Sequence, residues 1–219
     1  MTKKNLSSVY VGVNKSDKNR RKHDFYPTPP LATYVLDKYT NIPKNVIEPC
    51  AGRGNISVEL QRCGKNVKSF DLYEYPSPFI DIITGQNVVD IPKQTGYDAL
   101  ITNPPYHKNM PLKIAKKGIE EYEYTALFVR LTFLEGTRRK KNLFDIKKPS
   151  SIIFCSDRIR FIEGMEKEPI LKEDQIGGMI AYVWVVWDKN AKETTHHWVN
   201  CGELYDEWHE NFKRKENSI

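Results

Sequence analysis

The sequence has few of the features that define several large classes of protein. Its 219 residues include only four cysteines, at positions 50, 63, 155 and 201, and no two of them form a Cys-x-x-Cys pair. Such widely spaced cysteines indicate reduced thiols in a cytoplasmic protein. No apolar run approaches the roughly 20 residues that span a membrane, and the start lacks the apolar core of a signal peptide. We therefore expect a cytoplasmic protein with no membrane partner.

The glycine-rich motifs of common nucleotide-binding proteins are missing as well. The turn EPCAGRGN at residues 48–55 is not a Gly-x-Gly-x-x-Gly fingerprint, and no Lys-Ser or Lys-Thr pair follows it to hold a phosphate. The adjacent His196 and His197 have poor geometry for binding one metal ion, and no cysteine or acid cluster completes a site. We therefore predict neither a phosphate-binding loop nor a metal centre.

The charge balance is mildly basic. Lysine and arginine number 34 against 28 acidic residues, which gives a formal net charge of +6. This balance permits a polyanionic partner but does not establish one. Residues 1–23 are interpreted as a flexible basic arm that can lie along phosphates through Arg20, Arg21 and Lys22. Residues 191–219 are interpreted as a polar C-terminal tail.

Short apolar segments alternate with helical patterns along the chain. Strand-like segments such as NVIE, DALIT, ALFVRL, SIIF and AYVWVVW are separated by helical ones such as LATYVLDKY and PLKIAKKGIEE. This alternation predicts an α/β fold with a mostly parallel sheet covered by helices on both faces. In such sheets, ligands bind outside the carboxyl ends of the strands.

Unusual residues follow three of the predicted strands directly. The first strand leads into EPCAGRGN, whose Gly52 and Gly54 let a ligand approach the backbone and whose Glu48 suits a cation such as an ammonium. Asp71 ends the next strand about twenty residues later, the offset at which α/β cofactor domains place an acid on ribose hydroxyls. Glu74 is the competing candidate for that role. Because these strand ends meet at one edge of the sheet, we predict a cofactor site there.

The third strand runs into the segment ALITNPPYHKN at residues 99–109. Proline cannot continue a sheet ladder, so Pro104 and Pro105 end the strand and stiffen the segment. The side-chain oxygen of Asn103 and the carbonyl of Pro104 can then face one point. Two fixed acceptors suit an exocyclic amine, which has two N–H groups to donate. Tyr106 supplies an aromatic face on which a planar base can stack.

These segments resemble the S-adenosylmethionine-dependent amino-methyltransferases. NPPY at 103–106, EPCAGRGN at 48–55 and DFYPTPP at 24–30 are most similar to the Dam-like adenine-N6 DNA methyltransferases of phages and prophages. VRLTFLEGTRR and AYVWVVWDK also resemble later strands of that group, so the likeness covers residues 24–190. It implies a Rossmann-like class I methyltransferase domain over 24–190, with an antiparallel strand near the C-terminal edge of its sheet. It also implies methyl transfer to N6 of adenine in double-stranded DNA, after the base has been flipped out of the duplex.

The resemblance further implies roles at matching positions. Asn103 and Pro104 would accept hydrogen bonds from the target amine, with Pro105 stiffening the loop and Tyr106 stacking on the base. Asp90 would read the adenine amine of S-adenosylmethionine, with Asp81 as the alternative. The full set expected to contact this cofactor is Tyr26, Thr28, Pro29, Glu48, Pro49, Ala51, Gly52, Gly54, Asn55, Asp71, Leu72, Asp90, Ile91 and Asn103.

Target recognition has no dedicated domain in the sequence. The interval between residues 55 and 103 is too short for one, which departs from the arrangement in Dam itself. The long connection 158–178 is the candidate recognition insertion, and HKNMP beside the catalytic segment and TRRKK at 137–141 are second choices. The expected nucleic-acid contacts are Arg20, Arg21, Lys22, Lys108, Arg138, Arg139, Arg158 and Arg160.

Two alternatives to a DNA methyltransferase stay open. The same chemistry could act on an RNA base or on a protein glutamine, although the N-terminal arm is too short for the helical domain that glutamine enzymes usually carry. A nucleic-acid-binding protein that retains the cofactor fold without catalysis is the other alternative. The intact Asn103–Tyr106 segment and glycine turn argue against it.

Overall fold

A computed structural model describes residues 26–77, 79–161 and 172–216 of the chain. The predicted basic arm, with Arg20, Arg21 and Lys22, lies outside the described residues. So does the middle of the candidate recognition insertion, residues 162–171.

Seven strands form one mixed sheet within the described residues. They are β1 (Asn45–Glu48), β2 (Asn66–Ser69), β3 (Ala99–Thr102), β4 (Tyr124–Arg130), β5 (Ser151–Cys155), β6 (Tyr182–Asp188) and β7 (Thr195–Val199). Their order across the sheet is β2-β1-β3-β4-β6-β5-β7. The pairs β1–β2, β1–β3, β3–β4 and β5–β7 are parallel, whereas β6 runs antiparallel to β4 and β5. The predicted fold class is therefore confirmed, including the antiparallel strand near the C-terminal edge.

Helices cover both faces of this sheet. The longer ones are α1 (Pro30–Tyr39), α2 (Asn55–Arg62), α3 (Met110–Glu121) and α6 (Cys201–Glu216). Two short helices, α4 (Thr137–Arg139) and α5 (Lys172–Gln175), a π-helical turn over Lys140–Phe144, and two 3-10 turns over His107–Asn109 and Leu131–Leu134 are also present. Along the described residues, no helix is both long enough and apolar enough to cross a bilayer.

Alternating strand residues supply two separate apolar cores. Val46 and Ile101 pack with α1, α2 and α6 on one face, whereas Ile47 and Leu100 pack with α3 on the other. Successive side chains of a strand point to opposite faces, so one short apolar segment serves both layers. This two-sided burial explains why the strands read as continuous apolar runs.

The first helix is fixed to the middle of the sheet by the buried Trp184. Its indole Nε1 donates a 2.7 Å hydrogen bond to the carbonyl of Ala32, and the Leu31 amide donates to Gln175 Oε1 at 3.0 Å. Pro30 begins the helix, where its missing N–H costs nothing. These contacts hold residues 26–29 next to the carboxyl ends of the strands.

The segment predicted as a polar tail contains two regular elements, β7 and α6. Strand β7 extends the sheet beside β5, and α6 packs against α1. The α6 N-terminus is capped by Asp157, whose carboxylate accepts from the Cys201 amide at 2.9 Å and the Gly202 amide at 2.6 Å. Trp208 is buried and donates to Glu59 at 3.0 Å, so it is a packing residue of the domain.

Candidate active site

A cavity of about 310 Å³ lies at the carboxyl ends of β1, β2 and β3. Its size falls at the lower end of the range typical of small-molecule sites. Many of the residues predicted from the sequence line it: Tyr26, Thr28, Glu48, Pro49, Ala51, Gly52, Asn55, Asp71, Leu72, Asn103, Pro105 and Lys108. The predicted meeting of three strand ends is thus present as one cavity.

Glu48 supplies a buried carboxylate to this cavity. Its side chain is only 1% exposed and accepts a short hydrogen bond from the Ser57 hydroxyl, which also contacts the Ser69 hydroxyl at 2.7 Å. Burial, with the nearby Asp71 adding to it, raises the pKa of Glu48 well above its usual value. Among the described residues no cation pairs with it, so a cationic ligand group in the cavity would stabilise its charged form.

Asp71 lies two residues beyond the end of β2 and ties the glycine turn to that strand. One carboxylate oxygen accepts from the Gly52 amide at 2.8 Å, and the other accepts from the Tyr73 amide at 2.8 Å. The Ala51 amide donates to the Phe70 carbonyl at 2.9 Å, which holds the turn from the other side. A carboxylate oxygen can accept more than one hydrogen bond, so these two amides do not by themselves prevent Asp71 from accepting from a ligand.

The glycine turn ends at Gly54, the residue before α2. Its φ of 84° is in the left-handed region, and an added Cβ would lie 2.4 Å from Ile80 Cδ1. Gly54 does not itself line the cavity; it sets the course of the backbone that does.

Asn103, directly after β3, has its amide fixed by the segment that precedes α1. Its Nδ2 donates to Thr28 Oγ1 at 3.0 Å and to the Tyr26 carbonyl at 3.3 Å. Both hydrogen-bonding directions of the NH₂ group are therefore used, and Oδ1 is left as the acceptor. The orientation gives the cavity a fixed oxygen at the strand end.

Tyr106 faces a second, smaller cavity of about 110 Å³ that adjoins the same loop. This second cavity is lined by Tyr106, Asn109, Pro111, Arg130, Thr132, Phe133 and Arg139. The Arg130 guanidinium lies 4.8 Å from the centre of the Tyr106 ring, a cation–π distance. Pro105 lines the first cavity and Tyr106 the second, so the two sites meet at neighbouring residues.

The residues after Tyr106 have unusual backbone conformations. Lys108 has a φ of 48° and Asn109 a φ of 61°, although neither is glycine. Such conformations cost on the order of 1 kcal/mol each and concentrate at functional sites. The strained pair lies between the two cavities, because Lys108 lines the first and Asn109 the second.

Several predicted site residues lie elsewhere. Asp90 is exposed in a turn that its amide closes onto the Asn87 carbonyl, and Ile91 is buried in the core; neither residue lines the first cavity. Asn87 lines it instead. Pro29 and Pro104 are buried beside the cavity-lining residues without lining it themselves.

The predicted nucleic-acid contacts that the structure describes fall into three groups, and Lys108 is the one that lines the first cavity. Arg139 lines the second cavity, where it also donates to the carbonyls of Glu135 and Thr132. Arg138, Arg158 and Arg160 are exposed and line neither cavity.

Sequence reasoning missed part of the wall of the first cavity. Tyr73 and Tyr75 follow Asp71, and Gln86, Asn87, Val88 and Val89 come from an irregular segment. The tyrosines in DLYEY could have indicated this wall, because aromatic residues that follow an acid at a strand end suit a planar ligand. Asn87 carries no comparable signal, because its place depends on the isolated bridge between Phe70 and Ile83 that brings this segment to the sheet edge.

Comparisons with solved structures support the fold. The chain is similar to a protein from Listeria monocytogenes provisionally assigned as a class I S-adenosylmethionine-dependent methyltransferase, with a TM-score of 0.51, 13% identity, and 89% of this chain and 69% of that one covered. It is also similar to a protein from Pyrococcus horikoshii provisionally assigned as an RNA methyltransferase (TM-score 0.54, 12% identity, 78% and 91% covered). A third similar structure is DrdV in complex with DNA (TM-score 0.51, 12% identity, 82% covered), of which this chain spans 28%.

These similarities establish a Rossmann-like class I methyltransferase fold, as the sequence predicted. The name of the Listeria monocytogenes protein gives S-adenosylmethionine as the cofactor of that protein. The first cavity of this chain offers groups that would suit the same cofactor: the buried carboxyl of Glu48 for an ammonium, Asp71 for ribose hydroxyls, and tyrosines and valines for a planar base. No protein-family model matches the chain, and no curated protein is similar to it in sequence.

Proposed function

We propose that this protein transfers a methyl group from S-adenosylmethionine to the N6 amine of adenine in DNA. The observation that carries the proposal is the fixed amide of Asn103 in the wall of the first cavity, three residues before Tyr106 of the second. Its Nδ2 is held by Thr28 and Tyr26, so its Oδ1 is an immobile acceptor beside a cavity that fits the cofactor. The resemblance of NPPY to the adenine-N6 methyltransferases supplies the choice of target.

When bound in the first cavity, S-adenosylmethionine would supply an electrophilic methyl group. Glu48 would pair with its ammonium, Asp71 with its ribose hydroxyls, and the wall of Tyr75, Asn87 and Val88 with its adenine. The chain's own part in the reaction is positioning.

The target amine would donate to Asn103 Oδ1 and the Pro104 carbonyl. The nitrogen lone pair of adenine is delocalised into the ring, and two fixed acceptors draw it back toward the nitrogen. As the new N–C bond forms, the bond between the methyl carbon and the cofactor's sulfur would break, and S-adenosylhomocysteine would be the leaving group. The positive charge would then lie on the nitrogen, where the same two oxygens would stabilise it until a proton leaves to solvent. No nucleophilic residue is required.

Two substrates compete with DNA adenine in this site, namely an RNA base and a protein glutamine. The aromatic ring of Tyr106 and the arginines of the second cavity favour a nucleic acid over a glutamine side chain. Between DNA and RNA, the resemblance of NPPY, the glycine turn and the later strands favours DNA.

A labelled-methyl transfer assay with DNA, RNA and protein substrates tests the proposal. Asn103→Ala should lower the turnover number by at least a hundredfold, because it removes an acceptor used in the transition state. Asn190→Ala is the matched control, since it makes the same change at an exposed asparagine that lines neither cavity, and it should leave the turnover number unchanged. Binding of S-adenosylhomocysteine, measured by calorimetry, should survive in both variants. Label in protein alone, or full activity in Asn103→Ala, would refute the assignment.

A further inference from the structure

The second cavity contains two arginines that no acidic residue neutralises. Neither Arg130 nor Arg139 has a carboxylate partner among the described residues, although both side chains are partly buried. Removing a guanidinium from water without an opposite charge is unfavourable, so binding of an anion beside such a group offsets part of this cost. Two of them on one wall define a site for an anionic ligand.

Aromatic rings hold both guanidinium groups in place. Arg130 lies over Tyr106 at 4.8 Å, and Arg139 over Phe133 at 5.5 Å. Arg130 also donates from Nε to the Tyr182 hydroxyl at a long 3.4 Å, and Arg139 is fixed by two backbone carbonyls. Among the described residues, no partner takes the two terminal nitrogens of Arg130, and this edge of a guanidinium matches the geometry of phosphate oxygens.

The N-terminus of α3 opens onto the same cavity. Asn109 and Pro111, which flank the first residue of this helix, line the cavity together with the two arginines. The helix runs for 12 residues, its first turn contains no acid, and no side chain caps it. Its positive end therefore adds to the field of the two arginines.

We propose that this second cavity binds a backbone phosphate of the nucleic-acid strand that carries the target base. The inference rests on the proposed function, since it assigns the anion to the substrate of the adjoining site. Tyr106 lines the cavity and neighbours the loop that receives the base, so the bound phosphate is one flanking the target nucleotide. The Arg130 guanidinium then has two positions, one over the Tyr106 ring and one on the phosphate. When Arg130 moves to the phosphate, the target base stacks on the face of the Tyr106 ring that Arg130 has left.

Binding of a labelled oligonucleotide over a series of salt concentrations tests the proposal. The probe is a single-stranded DNA oligonucleotide with one adenine, measured by fluorescence anisotropy with saturating S-adenosylhomocysteine. Arg130→Gln should weaken binding about tenfold at low salt and reduce the slope of log K against log salt by about 0.7, the value for one phosphate contact. Arg130→Lys should keep the slope but not the full affinity, because it retains charge without the planar fork.

Lys192→Gln is the matched control. Lys192 is exposed in the turn between β6 and β7, at the end of the sheet opposite the cavity, and its loss removes the same unit of charge. Its affinity and salt slope should equal those of the wild type. Equal losses in Arg130→Gln and Lys192→Gln would mean that net charge alone matters, and would overturn the phosphate assignment.

Neutral methylphosphonates, placed singly at each phosphate around the adenine, test the contact from the substrate side. At one position, the methylphosphonate should weaken binding to the wild type about tenfold. At that position it should cause no further loss of affinity in Arg130→Gln, because the two changes remove the same interaction. Losses that add at every position, or a wild type indifferent to every position, would refute the phosphate site. Normal methylation of DNA in that case would leave the proposed function standing, whereas an absence of binding to DNA and RNA would refute both.

Discussion

The buried carboxylate of Glu48 should make cofactor binding depend on pH. Burial and the neighbouring Asp71 raise the pKa of Glu48, so below that raised value the free protein holds it protonated. A cofactor ammonium favours the charged form, so binding below the raised pKa must release a proton. Linkage then makes the dissociation constant fall by up to tenfold for each pH unit, until the pH exceeds the pKa of the free protein.

Glu48→Gln isolates this effect, because the amide keeps the shape and the hydrogen bond but cannot ionise. We expect S-adenosylhomocysteine to bind the variant with little dependence on pH. At a pH above the raised pKa of the wild type, the affinity should be lower by about ten- to a hundredfold, the range for losing a charged hydrogen bond. Glu120→Gln, an exposed position on α3, is the matched control and should bind as the wild type does.

Calorimetry in two buffers with different ionisation enthalpies measures the proton release directly. The wild type should release close to one proton per bound cofactor below the raised pKa, and Glu48→Gln should release fewer. Equal proton release in the two proteins would refute the pairing of Glu48 with the ammonium.

The same carboxyl group should lower the stability of the free protein as the pH rises, whereas cofactor binding becomes tighter. Its folded-state pKa is raised above the unfolded value, so the folded state keeps a proton that the unfolded state has lost. Stability from this group is therefore present at low pH and lost as the pH rises toward the raised value, by at most about 1.4 kcal/mol for each pH unit. Urea unfolding across pH should show a shallower loss for Glu48→Gln, and an equally steep loss would contradict the reasoning.

Two further substitutions test the packing of the fold by urea unfolding. In a free helix, Gly118→Ala would stabilise by about 1 kcal/mol, but here it should destabilise the protein because the new Cβ would lie 2.6 Å from Thr125 Cγ2. Adding Thr125→Ala should restore part of the lost stability. A stabilised Gly118→Ala variant would contradict the close contact. Trp208→Phe should cost about 2 kcal/mol by leaving the buried Glu59 without its indole donor. Trp198→Phe, at a side chain that is 72% exposed, should change stability by less than about 0.5 kcal/mol, and equal losses at the two tryptophans would mean that α6 does not pack as described.

The sequence predicted the parts of the fold that depend on local pattern. Apolar runs such as DALIT and AYVWVVW are too short for helices and too apolar for one-sided strands, so their place inside a two-sided sheet followed directly. The cavity at the ends of β1, β2 and β3 followed from the same rule, because Glu48, Asp71 and Asn103 each come at or just after a strand.

Contacts between distant segments were not predictable in this way. The partners of the Asn103 amide, Tyr26 and Thr28, lie 77 and 75 residues away in the chain. Nothing in VRLTFL signals that Arg130 covers the ring of Tyr106. Likewise β7 has exposed His196 and Trp198 between partly buried Thr195 and His197, and only Val199 is buried. It becomes a strand because the edge of β5 is open to pair with it.

Nucleoside mass spectrometry of DNA incubated with the protein and S-adenosylmethionine tests the central claim most directly. N6-methyladenine should accumulate with the wild type and be absent with Asn103→Ala. A methylated nucleoside other than N6-methyladenine, or N6-methyladenine formed equally well by Asn103→Ala, would contradict the account.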